Sequence, residues 1–545
     1  MRILITGISG TSRDLLLSIY TLKSYLLADP TISKACQIET LQSSYLIPSS
    51  VLPTTMLSED RGFDRGCENI IAAIIDYNPD LIAFSIYTWS ADAIFYIIKQ
   101  LRLKNINKPV VIGGPEISAG DVLSGKYDPM GVDYIVCGEG EEPLRRLVRG
   151  LLDSDEDFLA NTPRLAIKAG SSFMGLELGE SRTSTLADLD ESPSPFLTNA
   201  IPPRLLLDPM VQVNIETQRG CNFRCAYCLY HAQFPSIRYH SVPRVLEEVR
   251  YLATWGVKSI RITDANFPSN KVRAKEIIKG LVAGKISMRL FFEAIPSFID
   301  KEFAALLGDY MALHPSNQVL IGIGLQSIFQ PALKAINRVI PVSAFNSAFS
   351  LLQQTGVIIK TDVILGLPKE TKQSWHDLLE YISEKMRSGR NHLTIAVLRV
   401  LPGTSLESIA QTENLTVESS DFEHFVYETP TMPRADFIEC LYLSTVVYRL
   451  FYTEDQGSMT AVRDAYFKLK DAHFATHVTL FKYFVQEFSN HLSTTTSDFA
   501  TPDFLNAEHY WSFNVFREIS DDYLFELFKK YDNLLKSSTY LQVDI

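Results

Sequence analysis

At 545 residues, with 46% apolar and 21% charged side chains, the chain has the composition of a globular protein of roughly two to four domains. Its net charge of −12 argues against a nucleic-acid surface as its main business, and no apolar run reaches membrane-spanning length. Seven cysteines, odd in number and sparse except for one cluster, make a poor disulfide framework and point to a reducing cytoplasm.

The opening "MRILITGISG" reads as a buried first strand, without the pattern of a secretory leader. Further short apolar runs occur at "DLIAFSIYTW", "PVVIGGPEIS" and "VDYIVCGEGE", separated by helix-like stretches such as "SADAIFYIIKQLRL". This alternation predicts a parallel sheet, covered on both faces, over residues 1–150. Small and polar residues close each run, where open parallel sheets place their ligands, so the domain reads as a ligand binder. Residues 151–205 are less regular and end in the proline- and acid-rich "LADLDESPSPFL", which predicts a linker.

A second alternating series occupies 206–405. Its strand candidates are "VQVNIET", "SIRITD", "RLFFEAI", "VLIGIGLQS", "IIKTDVILG" and "LTIAVLRVLP". Six β/α units predict a partial barrel with its chemistry at the carboxyl ends of the strands. From 406 to 545, Phe and Tyr recur at helical spacing, as in "IECLYLSTVVYRLFY" and "DYLFELFKKYDNLL". This predicts a helical domain with an aromatic core, and the alternative is a cap over the barrel mouth.

Three of the cysteines fall in "ETQRGCNFRCAYCLYH", as Cys221, Cys225 and Cys228. The loop follows a predicted strand and precedes a predicted helix, at the catalytic end of the barrel. Thiolates suit zinc or iron–sulfur clusters. Cys228-Leu-Tyr-His231 could complete a Cys3His zinc site, although no second ligand pair recurs nearby. The alternative is a 4Fe–4S cluster tied to three thiolates, with one iron left open to bind a small molecule.

The C-x3-C-x2-C loop and its setting resemble the radical S-adenosylmethionine (SAM) superfamily, and Tyr227 fills that family's aromatic position before the third cysteine. The resemblance implies a 4Fe–4S cluster on Cys221, Cys225 and Cys228, with SAM as co-substrate. It implies catalytic or binding roles for Asp264 in "RITDANFPSN", beside Asn266, and for Glu293 in "FFEAIP". By the same resemblance Gln326 and Ser327 of "GLQS" lie near SAM's ribose and amino-acid ends, Arg338 follows in "INR", and Leu401 of "RVLPGTSL" lies on the adenine side. A reduced cluster would cleave SAM to a 5′-deoxyadenosyl radical that removes hydrogen from an unactivated carbon, fed by a donor such as flavodoxin or ferredoxin.

The N-terminal segment resembles the Rossmann-like cobalamin-binding domain that precedes the barrel in one subgroup of that superfamily. The Gly113-Gly114 pair would let backbone approach a bulky ligand, with Pro115 and Glu116 as further contacts, and Gly138, Glu139, Gly140 and Glu141 open a helix whose dipole favours a polar or anionic group. The D-x-H-x-x-G motif of many free-standing cobalamin domains is absent, and all ten histidines lie at His231 or later. The lower face of the corrin would then meet Tyr87, Thr88 and Trp89. The lookalike "DAHFATH", with Asp471, His473 and His477, reads as surface or core polarity.

The resemblance therefore implies a cobalamin-dependent C-methyltransferase acting on a small molecule or peptide through methylcobalamin, with neither nucleic acid nor membrane as partner. Other readings are a cobalamin-assisted rearrangement or cyclisation, a methylthiotransferase using Cys36, Cys67 and Cys137, and a non-catalytic cobalamin or metal sensor.

Overall fold

The computed structural model describes residues 1–10, 14–44, 62–175, 186–208, 211–234, 236–338, 340–387, 391–419, 424–451, 459–473, 476–495 and 520–537. The first sheet holds β1 (Arg2–Ser9), β2 (Gln37–Ser44), β3 (Leu81–Ser85), β4 (Val110–Gly113), β5 (Tyr134–Val136), β6 (Leu165–Ala169) and β7 (Ser172–Met174) in the order β2-β1-β3-β4-β5-β6-β7. β1 to β5 are parallel. β3 is buried at every residue, as a strand covered on both faces must be. Two apolar clusters divide the faces. Ile3 and Ile5 of β1 pack into one, Leu4 and Ile8 into the other.

Two features of this domain depart from the sequence reading. β2, "QIETLQSS", carries too little apolar patterning to announce itself, because it is an edge strand in which Ile38 is buried and Leu41 packs partly against the other face. β6 and β7 form an antiparallel pair that extends the sheet through residues 165–174, so part of the expected linker belongs to the first domain.

The second sheet is built from β8 (Val213–Ile215), then, past the short antiparallel pair β9 (Gln218–Arg219) and β10 (Arg238–Tyr239), from β11 (Ser259–Ile262), β12 (Arg289–Glu293), β13 (Gln318–Gln326), β14 (Ile358–Leu365) and β15 (His392–Val397). All six pair in parallel in the order β15-β14-β13-β12-β11-β8, an open partial barrel of the expected six strands. Side chains alternate across each strand. Val213, Ile215, Ile260, Ile262, Leu290 and Phe292 are buried in the layer of helices, which turns Asn214, Arg261, Phe291 and Glu293 inward.

Residues beyond 405 begin with the short helix Leu406–Thr412 and a hairpin, β16 (Thr416–Ser419) and β17 (His424–Glu428), before the longer helices. The helix Arg434–Phe451 packs on the barrel helix Lys372–Lys385, where the buried Trp375 indole donates to Ser444 Oγ at 3.2 Å. Phe437, Phe451, Tyr466, Phe481 and Phe528 join the same apolar core as the barrel helices. His477 is fully buried between Tyr466 (2.6 Å) and Glu384 (3.0 Å), and Asp471 pairs with Arg387 at 2.7 Å, so this motif serves packing. The helical region thus lies against the flank of the barrel. No helix among the described residues is long and apolar enough to cross a membrane.

Because Trp375 sits at the joint between barrel and C-terminal helices, Trp375→Ala should cost about 3–5 kcal/mol in urea unfolding and expose Arg434–Phe451 to protease. Unchanged protease resistance would contradict a shared core.

Candidate functional site

The cysteine loop leaves β9 through Gly220, whose φ of +101° and whose approach to Ser236 (a Cβ would stand 2.1 Å from its carbonyl oxygen) admit only glycine. The loop is braced from three sides. Ala226 N donates to Ile336 O (2.9 Å), Asn337 Nδ2 to Arg224 O (2.9 Å), and Leu406 N to Ala226 O (3.0 Å). Cys225 is buried, with Cys221 and Cys228 half-buried beside it, and burial pushes the Cys221 and Cys228 thiols up. Arg338 lies against the loop, donating to Cys225 Sγ at 3.4 Å and to Gly324 O at 2.7 Å. Among the described residues no three His, Cys, Asp or Glu side chains close on a point small enough for a single metal ion. His231 lies on the short helix Leu229–Gln233, with Nδ1 buried and unpaired.

Upstream of Gly220, Arg219 is almost fully buried among carboxylates. It donates to Glu139 at 2.8 Å, Glu141 at 2.9 Å and Glu216 at 2.8 Å, and Arg238 also pairs with Glu139. Burial acts to raise the Glu216 carboxyl, but Arg219 holds it below the usual range. Glu139 and Glu141 belong to the turn and helix start after β5, so this network ties the first domain to the strand that launches the cysteine loop. Its members were legible in sequence only in part: Glu139 stood out in the glycine turn, whereas Arg219 carried no motif.

The network borders a cavity of about 600 Å³ between the two sheets, within the range of small-molecule and cofactor sites. Tyr87, Trp89, Gly113, Gly114 and Pro115 line it, as do Gly138, Glu139 and Gly140. Tyr87 and Trp89 stack at 4.6 Å, with the Trp89 indole donating to Ile8 O at 3.1 Å and the Tyr87 hydroxyl to Ser18 at 3.1 Å. From the barrel come Asn214, Arg261 and Glu293. Burial raises the Glu293 carboxyl. Thr88 and Glu116 are not among the lining residues; burial raises the Glu116 carboxyl, with the Thr88 hydroxyl opposing the shift.

Asp264 has a different position from the one expected. Fully buried, it accepts from Thr217 N (2.7 Å), Thr217 Oγ1 (2.5 Å) and Gln218 N (3.0 Å), and burial raises it to about 6. Its carboxylate is consumed in fastening the β8–β9 corner. Ser327 is likewise engaged: its hydroxyl donates to Glu370 at 2.8 Å and accepts from Phe329 N at 3.1 Å. Gln326 ends β13 with φ +67° and, like Tyr227 and Leu401, sits around the cysteine loop and the adjoining strand ends, outside the cavity. Glu370, which the sequence reading passed over, is fully buried with Oε2 unpaired, and burial pushes it up to about 8.

A first sheet whose strands β1 to β5 are parallel, a six-stranded partial barrel, a braced three-cysteine loop and a cavity between the sheets define a two-domain α/β architecture. Comparison with known families agrees: residues 215–382 match the radical SAM superfamily and residues 55–148 the B12 binding domain. The chain thus carries a radical SAM match over the barrel, with a B12-binding match ahead of it. It is 25% identical over 386 residues to the cobalamin-dependent radical SAM methyltransferase TokK of Streptomyces tokunonensis, covering 66% of this chain and 55% of that protein. It is 26% identical to the 2-(S-pantetheinyl)-carbapenam-3-carboxylate methyltransferase of Streptantibioticus cattleyicolor, covering 69% of this chain and 57% of the relative. The chain thus spans little more than half the length of these curated relatives. Two solved structures share the fold. The cobalamin-dependent SAM radical enzyme OxsB has a TM-score of 0.62 at 14% identity, over 98% of this chain and 79% of that one. The radical SAM methyltransferase TsrM from Kitasatospora setae has 0.59 at 15% identity, over 82% and 88%.

Two outcomes follow from this geometry. Arg219→Met leaves Glu141 and Glu216 without their cation and Glu139 with Arg238 alone, and should cost about 3–5 kcal/mol in chemical unfolding. Glu370 has a folded pKa raised from 4.5 to about 8, so the stability it contributes is full below pH 4.5 and is lost as pH rises through 8. Glu370→Gln removes that dependence. Thermal melts should show the wild type losing ground to the variant from pH 5 towards pH 9 (on the order of the two pKa values), and parallel curves would contradict a protonated buried carboxyl.

Proposed function

We propose that the chain is a cobalamin-dependent radical SAM methyltransferase acting on an unactivated carbon of a small molecule or peptide. The observation that carries this reading is the shared cavity. The turns of the B12-matching domain and the inner face of the barrel border one space, and the cysteine loop begins immediately beyond the Arg219 network.

The residues present fit the groups the reading requires. Cys221, Cys225 and Cys228 would hold the 4Fe–4S cluster: three soft thiol donors on one braced loop. Arg338, fixed by Gly324 O, places a positive charge beside the Cys225 sulfur. The glycines after β4 and β5 keep one side of the cavity free of side chains, and the stacked Tyr87 and Trp89 offer a flat wall where free-standing cobalamin domains use a histidine. When bound, the cluster with SAM supplies one-electron C–H activation and cobalamin supplies the methyl group. The chain's own part is to hold these groups in register, to close the space to water, and to present Glu293 and Arg261 from the barrel.

The methylthiotransferase alternative needs Cys36, Cys67 and Cys137 to share a cluster. Cys36 packs with one face of the first sheet, whereas Cys67 and Cys137 are buried in the core of the other. Flavodoxin or ferredoxin is the proposed electron donor.

The test is turnover by the anaerobically reconstituted full chain with SAM and candidate substrates, read by mass spectrometry. The expected result is S-adenosylhomocysteine and 5′-deoxyadenosine together with a product heavier by one methyl, all lost in Cys225→Ala. 5′-Deoxyadenosine without methyl transfer would overturn methylation in favour of a rearrangement or cyclisation.

A further inference from the structure

We infer that Arg261 is the anchor for a carboxylate carried by the substrate. Arg261 is the inward residue of β11 next to Phe291 of β12, its register partner. Its guanidinium stands 4.8 Å from the Phe291 ring and lines the cavity. Among the described residues it has neither a hydrogen bond nor an ion pair, so a fork of donors opens on the cavity with nothing to receive it. Arg219 and Arg338, the neighbouring buried guanidiniums, are both engaged.

The groups around Arg261 restrict what it can take. Lys360 of β14 lies 5.9 Å from the same Phe291 ring, but its charge is already met by Asp362 at 2.9 Å, with Glu293 at 3.9 Å. Glu293 and Lys360 face each other across Gly322, their common neighbour on β13, where a Cβ would stand 2.0 Å from Glu293 Oε2. Lys360 is thus matched by Asp362, and Arg261 is the cation beside the Phe291 ring that has no close partner among the described residues. One negative charge is enough to meet it. A phosphate dianion would have to approach Asp362 and Glu293 as well, whereas a carboxylate satisfies the guanidinium fork through two parallel hydrogen bonds.

This assignment rests on the proposed function in one respect, that the substrate occupies the barrel side of the cavity. The anion titrations that test it use the full chain without cofactors and therefore stand or fall separately from cluster or cobalamin binding. Thermal stabilisation is titrated with acetate and with inorganic phosphate, against chloride at equal ionic strength, for wild type, Arg261→Lys and Arg261→Gln. Acetate should stabilise the wild type beyond chloride. Its apparent affinity should fall roughly tenfold or more in Arg261→Gln and be partly kept in Arg261→Lys, which also controls for folding. An equal acetate response in wild type and Arg261→Gln, or none in the wild type, would overturn the proposal. So would a preference for phosphate over acetate. SAM affinity of the reconstituted proteins is the last arm: it should be unchanged in Arg261→Gln, and a parallel loss would reassign the guanidinium to SAM's own carboxylate.

Discussion

The buried contact between Arg219 and the carboxylates of Glu139, Glu141 and Glu216 is the constraint on which the rest of the site depends. Taking one guanidinium and three carboxylates out of water is costly, and the cost is met only while the geometry holds. That makes the contact an alignment device. Arg219 belongs to the barrel and sits just ahead of Gly220 and Cys221, while Glu139 and Glu141 belong to the first domain. A shift of either domain breaks the network, along with the apolar core that the first sheet and the barrel share. The cavity and the cysteine loop inherit their relative position from it.

Around this joint, other polar groups fix the loop without facing the cavity. Asp264 fastens the β8–β9 corner through Thr217 and Gln218, and Glu370 fastens the end of β13 through Ser327. Both carboxyls are raised by burial, the mark of groups held for position against their preference for water. Arg261 differs in kind: half-buried, open to the cavity and unpaired among the described residues, it has the character of a group awaiting a ligand.

Much of this architecture was legible in the sequence because parallel strands buried on both faces read as short apolar runs. All six barrel strands and four of the first sheet appear that way. β2 did not, because an edge strand needs few apolar anchors, and β6–β7 did not, because a short hairpin added to a sheet edge resembles a linker. The cysteine loop was legible from spacing, and the glycine turns from composition. Roles that depend on what a side chain touches were not. Nothing in "TDAN" says that the Asp264 carboxylate is already taken, and nothing in "SIRI" says that Arg261 points inward without a partner. The aromatic C-terminal region was read correctly as a packed helical core, but its alternative role as a cap finds no support among the described residues, since none beyond Glu293 lines the cavity.

The central claim is that one braced loop and one domain junction serve two cofactors in a single molecule. Metal analysis of the anaerobically reconstituted full chain tests it most directly. The account predicts about four iron and about one cobalt per chain, with cobalt kept and iron lost when Cys221, Cys225 and Cys228 are replaced together by alanine. One zinc per chain in place of iron, or iron without cobalt, would contradict it.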